Sequence, residues 1–362
     1  MNQSNTDIAG MSPSNPSPQA AASSPILLVP YMWIGDFVRC HSVVKLLRTR
    51  WPDRPVDLLT TTLSAPLLDY MPGVRKGIVW DLPRGRLPLG QYRALADTLR
   101  AEGYGTALLM LRTWKSALAP YLAGIPERVG FVGEARFGLL SDLRWGERKL
   151  ERMIDRCGAL ALPNGAPLPA QWPMPELIVP KSESEAWLAR RGLARTGRPI
   201  VTLAPGAVGP GKAWPPAHYV ELARQLAGEG ADIWVLGGPN EKGIATEIAK
   251  VSARNVRDLT GNDLRDAIIA MSIADVAVTN DSGLMHIAAA LNTPTIAIFG
   301  PTSPRLWGPL NPLAAIIEPP GAPSESDHVK WRRTADVEPR RVLEAVRRVL
   351  AERPMPPFHA AK

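Results

Sequence analysis

Cysteine is nearly missing from this sequence. Cys40 and Cys157 are the only two in 362 residues, too few for a disulfide framework or a Cys-ligated zinc site, and consistent with a reducing compartment. Histidine is sparse as well. The five (His41, His218, His286, His328 and His359) form no H-x-x-x-H pair, which counts against a zinc site of the metalloprotease kind. No two aspartates are separated by a single residue, so the D-x-D metal signature of many sugar-nucleotide enzymes is absent. There is no G-x-S-x-G, and no G-x-G-x-x-G follows the first apolar run; serine hydrolase and dinucleotide oxidoreductase chemistry both lose ground. Long apolar runs are missing too, since a membrane span needs about 18 nearly uncharged residues and the best candidates here are strand-length pieces such as Ile26–Pro30. The start of the chain lacks the basic cluster and apolar centre of a secretory signal. The expectation is a cytoplasmic protein, soluble or at most peripheral to a membrane.

What is abundant is proline, 37 residues or about twice ordinary usage, and positive charge, with 42 Lys and Arg against 34 Asp and Glu for a net +8. The charge points to an anionic partner without naming it. At 45% apolar residues the chain can bury about two domains' worth of core. Residues 1–25 are Ser, Asn, Pro and Ala with few large apolar groups and are expected to be disordered; residues 354–362 are expected to form a loose tail. A second Pro-rich stretch, 162–182, reads as a linker between an N-terminal domain at 26–161 and a C-terminal domain at 183–353. An ordinary long surface loop is the other reading of that stretch.

Each side of the linker carries its own strand–helix series. On the first side the pattern predicts strands at 26–30, 56–60, 77–80 and 106–111, with helices at 36–50, 65–70 and 91–102. On the second it predicts strands at 199–204, 232–237, 275–279 and 295–299, with helices at 217–228, 241–251, 263–272 and 284–291. Short apolar runs alternating with helix-period segments imply parallel sheets covered on both faces. The expected fold is α/β, two Rossmann-like doubly wound domains facing across a cleft. Ligands of such sheets bind beyond the carboxyl ends of the strands.

Three motifs fall at those ends. Trp33-Ile34-Gly35-Asp36 follows the first strand, and a carboxylate there is either a general base in the cleft or the N-cap of the next helix. Gly206 to Lys212 follows the strand at 199–204 and fits G-x-x-x-x-G-K, yet Ala213 stands where a P-loop needs Ser or Thr and Trp214-Pro215-Pro216 follows. What remains is a glycine-rich turn whose amides and lysine suit an anion, or a plain loop with a solvated lysine. The third is Val278-Thr279-Asn280-Asp281-Ser282-Gly283-Leu284-Met285-His286, a strand running into a helix. It reads as a polar ligand site on a helix N-terminus, favourable to phosphate, or as a well-made cap with Asp281 or Ser282 at its head. Gly300 to Pro304 would border the same pocket.

Taken together, the blocks Trp33 to Asp36, Lys115 to Leu118, Ala123 to Pro126, Arg136 to Leu140, Pro205 to Ala207, Lys212 to Pro215 and Thr279 to His286 give the chain a resemblance. It resembles the ADP-heptose:lipopolysaccharide heptosyltransferases, glycosyltransferase family 9, over about 26–350, and is similar in motif to the heptosyltransferase II branch. The resemblance implies a GT-B fold, with the acceptor on the N-terminal domain and ADP-heptose on the C-terminal one, and an inverting transfer with no required metal or cofactor. It implies Asp36 as the base and Lys212 as the cation at the donor phosphates. The implied donor set is Gly206, Ala207, Lys212, Glu241, Thr279, Asn280, Asp281, Ser282, Gly283 and His286, and the implied acceptor set is Lys115, Arg128 and Arg136. The implied partners are ADP-heptose and the lipopolysaccharide inner core at the inner face of the inner membrane, with no nucleic acid. The other readings are heptosyltransferase I or a later-acting core transferase of the same family, and a non-catalytic nucleotide-sugar-binding protein. One departure is Phe37-Val38-Arg39-Cys40-His41, bulkier and more basic than the family pattern after its Gly-Asp.

Overall fold

The computed structural model describes residues 23–81, 88–261, 263–321 and 332–352; the expected disordered start (apart from 23–25) and the loose tail lie outside them. The chain builds two six-stranded sheets, all of whose strand pairs are parallel. The first contains β1 (Ile26–Val29), β2 (Val56–Thr60), β3 (Val74–Val79), β4 (Thr106–Leu109), β5 (Glu127–Phe131) and β6 (Asp142–Arg144), in the order β3-β2-β1-β4-β5-β6. The second contains β7 (Ile200–Ala204), β8 (Asp232–Val235), β9 (Val256–Asp258), β10 (Val276–Asn280), β11 (Thr295–Ile298) and β12 (Ala314–Ile317), in the order β12-β11-β10-β7-β8-β9. Read from its own first strand, the second sheet repeats the order of the first. Each is therefore doubly wound, and its direction of winding reverses between its first and fourth strands, β1/β4 and β7/β10. Those two crevices are where such folds bind ligands.

The central strands are buried along their whole length, as in Ile26-Leu27-Leu28-Val29 and Val276-Ala277-Val278-Thr279-Asn280, because helices cover both faces of a parallel sheet. The Ile34–Arg50 helix follows β1, and the Gly283–Ala290 helix follows β10. Their N-terminal turns meet at the junction of the domains. A Cβ on Gly283 would fall 2.9 Å from Ile34 Cβ, and one on Gly35 would fall 2.5 Å from His286 Cδ2. Only glycine lets the two helix starts approach so closely. One continuous apolar cluster crosses this junction, from Ile26 and Phe37 through Leu177 to Ile269 and Ile287.

The Pro-rich stretch has no helix or strand up to Pro180, but it is docked. Glu176 N donates to His41 Nδ1 at 2.9 Å, Leu177 N to Ala290 O at 2.8 Å and Ile178 N to Tyr70 O at 2.8 Å. It therefore bonds to both domains. The next helix begins at Lys181, inside the stretch that composition assigns to the linker, and Trp187 of that helix donates to Asp266 of the second domain at 2.6 Å. Among the described residues no helix is long and apolar enough to cross a membrane.

Candidate functional site

The Ile34–Arg50 helix starts two residues earlier than the sequence pattern suggests, with Trp33 as its N-cap and no side-chain cap bond. Asp36 therefore lies inside the first turn and is not the cap. Its carboxylate sits in the seam between the domains, 3.5 Å from Arg39 Nη1. Burial pushes its pKa above the ordinary carboxylate value, Arg39 acts against that rise, and from the other domain Asp281 adds to it while Lys212 opposes it. A carboxylate made more basic in this way is suited to accept a proton.

Across the seam, β7 ends at Ala204 and the chain turns through Pro205 to Lys212. Gly209 (φ +117) and Gly211 (φ +74) hold left-handed conformations that a side chain resists, and they fold the turn back so that Lys212 faces β10. Lys212 Nζ lies 2.7 Å from Asp281 Oδ2, and Thr302 donates to the same oxygen at 2.7 Å. Thr302 belongs to the loop after β11 that the sequence placed at the border of this pocket.

Ser282 is the N-cap of the Gly283–Ala290 helix, yet its side chain makes no cap bond, and its Oγ is buried with no partner. Thr279 Oγ1 is buried in the same condition. A cap alone does not leave its hydroxyl unsatisfied, and Ser282 is placed to bond a polar ligand at the helix N-terminus. His286, one turn further on, is buried, and its pKa falls well below the ordinary imidazole value through burial and through the charges of Arg39 and Lys212. It is a neutral ring packed on Gly35. Glu241 closes the far side of the glycine turn. Its Oε2 accepts from Gly238 N at 2.7 Å, and a Cβ on Gly206 would come within 2.9 Å of its carboxyl carbon. Ala207 lies half-buried in the same turn.

Asn280 differs from the others. It is fully buried, its Oδ1 accepts from Trp214 N at 3.2 Å and Tyr219 OH at 3.1 Å, and its Nδ2 donates to Pro205 O at 2.6 Å. The bonds to Pro205 and Trp214 fix the two ends of the Lys212 turn, and the third ties the strand to Tyr219 of the Pro216–Gly228 helix.

The acceptor-side residues do not converge with this group. Arg136 is 1% exposed; its Nε donates to Phe131 O at 3.0 Å and its Nη1 to Leu111 O at 2.5 Å. The expectation that it faces an acceptor is corrected: its fork is taken up by backbone carbonyls, leaving no exposed face. Arg128 similarly donates to Leu139 O at 2.7 Å and to Ile125 O, with its head over the Tyr121 ring. Lys115 is half-buried on the first turn of the Trp114–Leu122 helix. Sequence reasoning did not give a role to Arg39 or to Trp307, whose carbonyl Arg39 contacts. The one signal was the basic cluster after Asp36. Among the described residues no group of three or more His, Cys, Asp or Glu side chains is placed to hold a metal ion.

Comparison with known proteins shows the family and agrees with the fold. The chain is 35% identical to lipopolysaccharide heptosyltransferase 2 of Escherichia coli K12 over 351 residues, covering 90% of this chain and 99% of that one. It is 36% identical to lipooligosaccharide heptosyltransferase 2 of Haemophilus influenzae, covering 81% and 88%. The solved structure of E. coli ADP-heptose lps heptosyltransferase II superposes with a TM-score of 0.80 at 34% identity, over 91% of this chain and 99% of that one. The sequence model of glycosyltransferase family 9 (heptosyltransferase) matches residues 92–331. With two doubly wound domains of GT-B type and a polar site at their facing switch points, the chain is a glycosyltransferase and belongs to family 9, the heptosyltransferases.

Proposed function

We propose that this enzyme transfers heptose from ADP-L-glycero-D-manno-heptose to the heptosyl-Kdo-lipid A inner core of lipopolysaccharide, with inversion at the anomeric carbon and without a metal ion. The single observation that carries the mechanism is the meeting of Asp36, from the first domain, with Lys212, Asp281 and His286 of the second. The acceptor hydroxyl attacks the anomeric carbon, its proton passes to Asp36, and the bond to the β-phosphate oxygen breaks as ADP leaves. Charge grows on that phosphate as the bond lengthens. Lys212 and the N-terminal amides of the Gly283–Ala290 helix meet it from fixed positions, which favours the transition state over the ground state. In the unliganded chain Lys212 is held by Asp281, which keeps its ammonium at the phosphate end of the cleft.

Gly206, Ala207 and Glu241 would border the nucleoside, and Thr279, Ser282 and Gly283 the pyrophosphate and sugar. Asn280 supports the same site by holding the Lys212 turn. Lys115 is the acceptor-side cation best placed to meet phosphate or carboxylate, with Arg128 and Arg136 shaping the loops beside it. Work at the inner face of the inner membrane suits an enzyme with a net charge of +8 and exposed aromatic rings at Trp33, Phe137 and Trp145 on its first domain. Such rings suit a membrane–water boundary.

The test is incubation of the purified chain with ADP-heptose and heptosyl-Kdo-lipid A, with and without a chelator. The expected result is stoichiometric ADP release that the chelator leaves unchanged. Absence of ADP release from any inner-core acceptor would refute the reading.

A further inference from the structure

Arg39 stands one helical turn beyond Asp36 and is 3% exposed. Its guanidinium faces three ways. Nη1 lies 3.5 Å from Asp36 Oδ1, while Nη2 donates to Trp307 O and lies 3.5 Å from Gly308 O; its carbon sits 5.5 Å from the centre of the Trp307 ring. Asp36 and Arg39 belong to the first domain, Trp307 and Gly308 to the second. Trp307 ends the short Pro304–Trp307 helix, which follows Thr302, the residue that bonds Asp281. The loop at 302–308 therefore touches the Lys212–Asp281 pair at one end and Arg39 at the other.

A buried cation is expensive unless it is paired and hydrogen-bonded. A mere strut between helix and loop is made as well by an apolar side chain of similar length. We propose that Arg39 is a positioning residue for the reaction: it holds the Asp36 carboxylate in place and ties the helix that carries it to the Trp307–Gly308 corner of the donor domain. The inference rests on the reading of Asp36 as the base.

The charged and titratable groups facing Asp36 are Arg39 and the buried Cys40 thiol on its own helix, Lys212 and Asp281 from the donor domain, and the neutral His286 ring packed on Gly35. Lys212 is shared with Asp281, and a bound donor adds two phosphates to the same cleft. Arg39 also feels Asp281, but its only carboxylate contact among the described residues is with Asp36, which makes it the counter-charge nearest the base. Because its other contacts lie in the donor domain, it is fully seated only while the domains are together, which links closure to a correctly placed base.

The experiment compares Arg39→Met, Arg39→Lys and Asp36→Asn with the unmodified chain, reading kcat across pH, KM for the acceptor and the Kd of ADP-heptose. Arg39→Met is expected to lower kcat by about tenfold or more, with the acid limb of the profile moved to higher pH and donor affinity within about threefold. Arg39→Lys keeps the charge but cannot span both contacts, and should restore part of the rate and most of the limb. If Arg39→Met fails to fold, the lysine variant answers alone, through a lowered kcat with unchanged donor affinity. A wild-type kcat and an unmoved limb in either variant, beside an inactive Asp36→Asn, would overturn the proposal even if the melting temperature falls. An active Asp36→Asn would remove the base reading itself, and this inference with it.

Discussion

Lys212 Nζ and Asp281 Oδ2 are 2.7 Å apart beyond the adjacent carboxyl ends of β7 and β10, and Thr302 holds the same carboxylate oxygen. On the proposed mechanism, the cation that meets the leaving group is thus positioned before any donor arrives. Replacing Lys212 by Met should lower kcat by about 100-fold or more, the scale of losing one preorganised charge partner in a catalytic site. Lys212→Arg should recover part of that loss. Steady-state rates with ADP-heptose check both, and a methionine variant at wild-type kcat would remove Lys212 from the mechanism.

Asp36 lies in the first turn of its helix, half-buried beside Arg39. Asp36→Asn keeps its shape and removes its basicity. The expected loss in kcat is about 10²- to 10⁴-fold, the usual contribution of a general base, with the Kd of ADP-heptose nearly unchanged by calorimetry. Donor binding lost along with turnover would give Asp36 a structural role instead.

The close contact of the domains depends on two glycines. Gly35→Ala gains about 0.5–1 kcal/mol of helix propensity, but its Cβ would fall 2.5 Å from His286 Cδ2, and overpacking a tight site costs about 1–3 kcal/mol. The steric term wins, so the variant should melt at a lower temperature and turn over more slowly. Gly283→Ala, facing Ile34 Cβ at 2.9 Å, should behave alike. A melting temperature at or above wild type would show that the helices can move apart without loss.

His41 and His286 are both buried with pKa values below the ordinary 6.5, burial being the first cause in each. In the unfolded chain they protonate first as pH falls, so unfolding takes up protons. Stability is therefore complete above about pH 6.5 and declines below it, by up to about 1.4 kcal/mol per pH unit for each histidine. Asp36 works the other way, since its raised pKa lets the folded chain bind a proton there before the unfolded one does. Urea melts at pH 7.5 and 5.5 measure the sum, and His41→Gln should reduce the slope. A slope left unchanged by His41→Gln would contradict the burial account.

The sequence made the central strands legible because β1, β7 and β10 are buried on both faces and read as mainly apolar runs, interrupted only by Thr202 in β7 and ended by Thr279-Asn280 in β10. Four strands were missed: β5 (Glu127–Phe131), β6 (Asp142–Arg144) and β9 (Val256–Asp258) are short and carry charge, while β12 (Ala314–Ile317) is four apolar residues on a sheet edge, and none is long enough for a periodicity signal. The Trp114–Leu122 helix is hidden by Pro120 within it. In the site, Asp36, Lys212, Asp281 and His286 could be found because glycine turns and strand ends mark them. Asn280 and Arg136 are polar residues in the same blocks, yet they are occupied within the protein, Asn280 by Pro205, Trp214 and Tyr219 and Arg136 by the Leu111 and Phe131 carbonyls, which no spacing reveals. Arg39 was visible only as an unexpected charge, because nothing in a single helix says which of its faces a second domain will cover.

The central claim is transfer of heptose to an inner core that already carries one. The most direct measurement is the mass of the acceptor after incubation with ADP-heptose, using Kdo-lipid A and heptosyl-Kdo-lipid A side by side. The account predicts a gain of one heptose on the heptosylated acceptor, with little or none on the other. A heptose added only to Kdo-lipid A, or to neither, would contradict it.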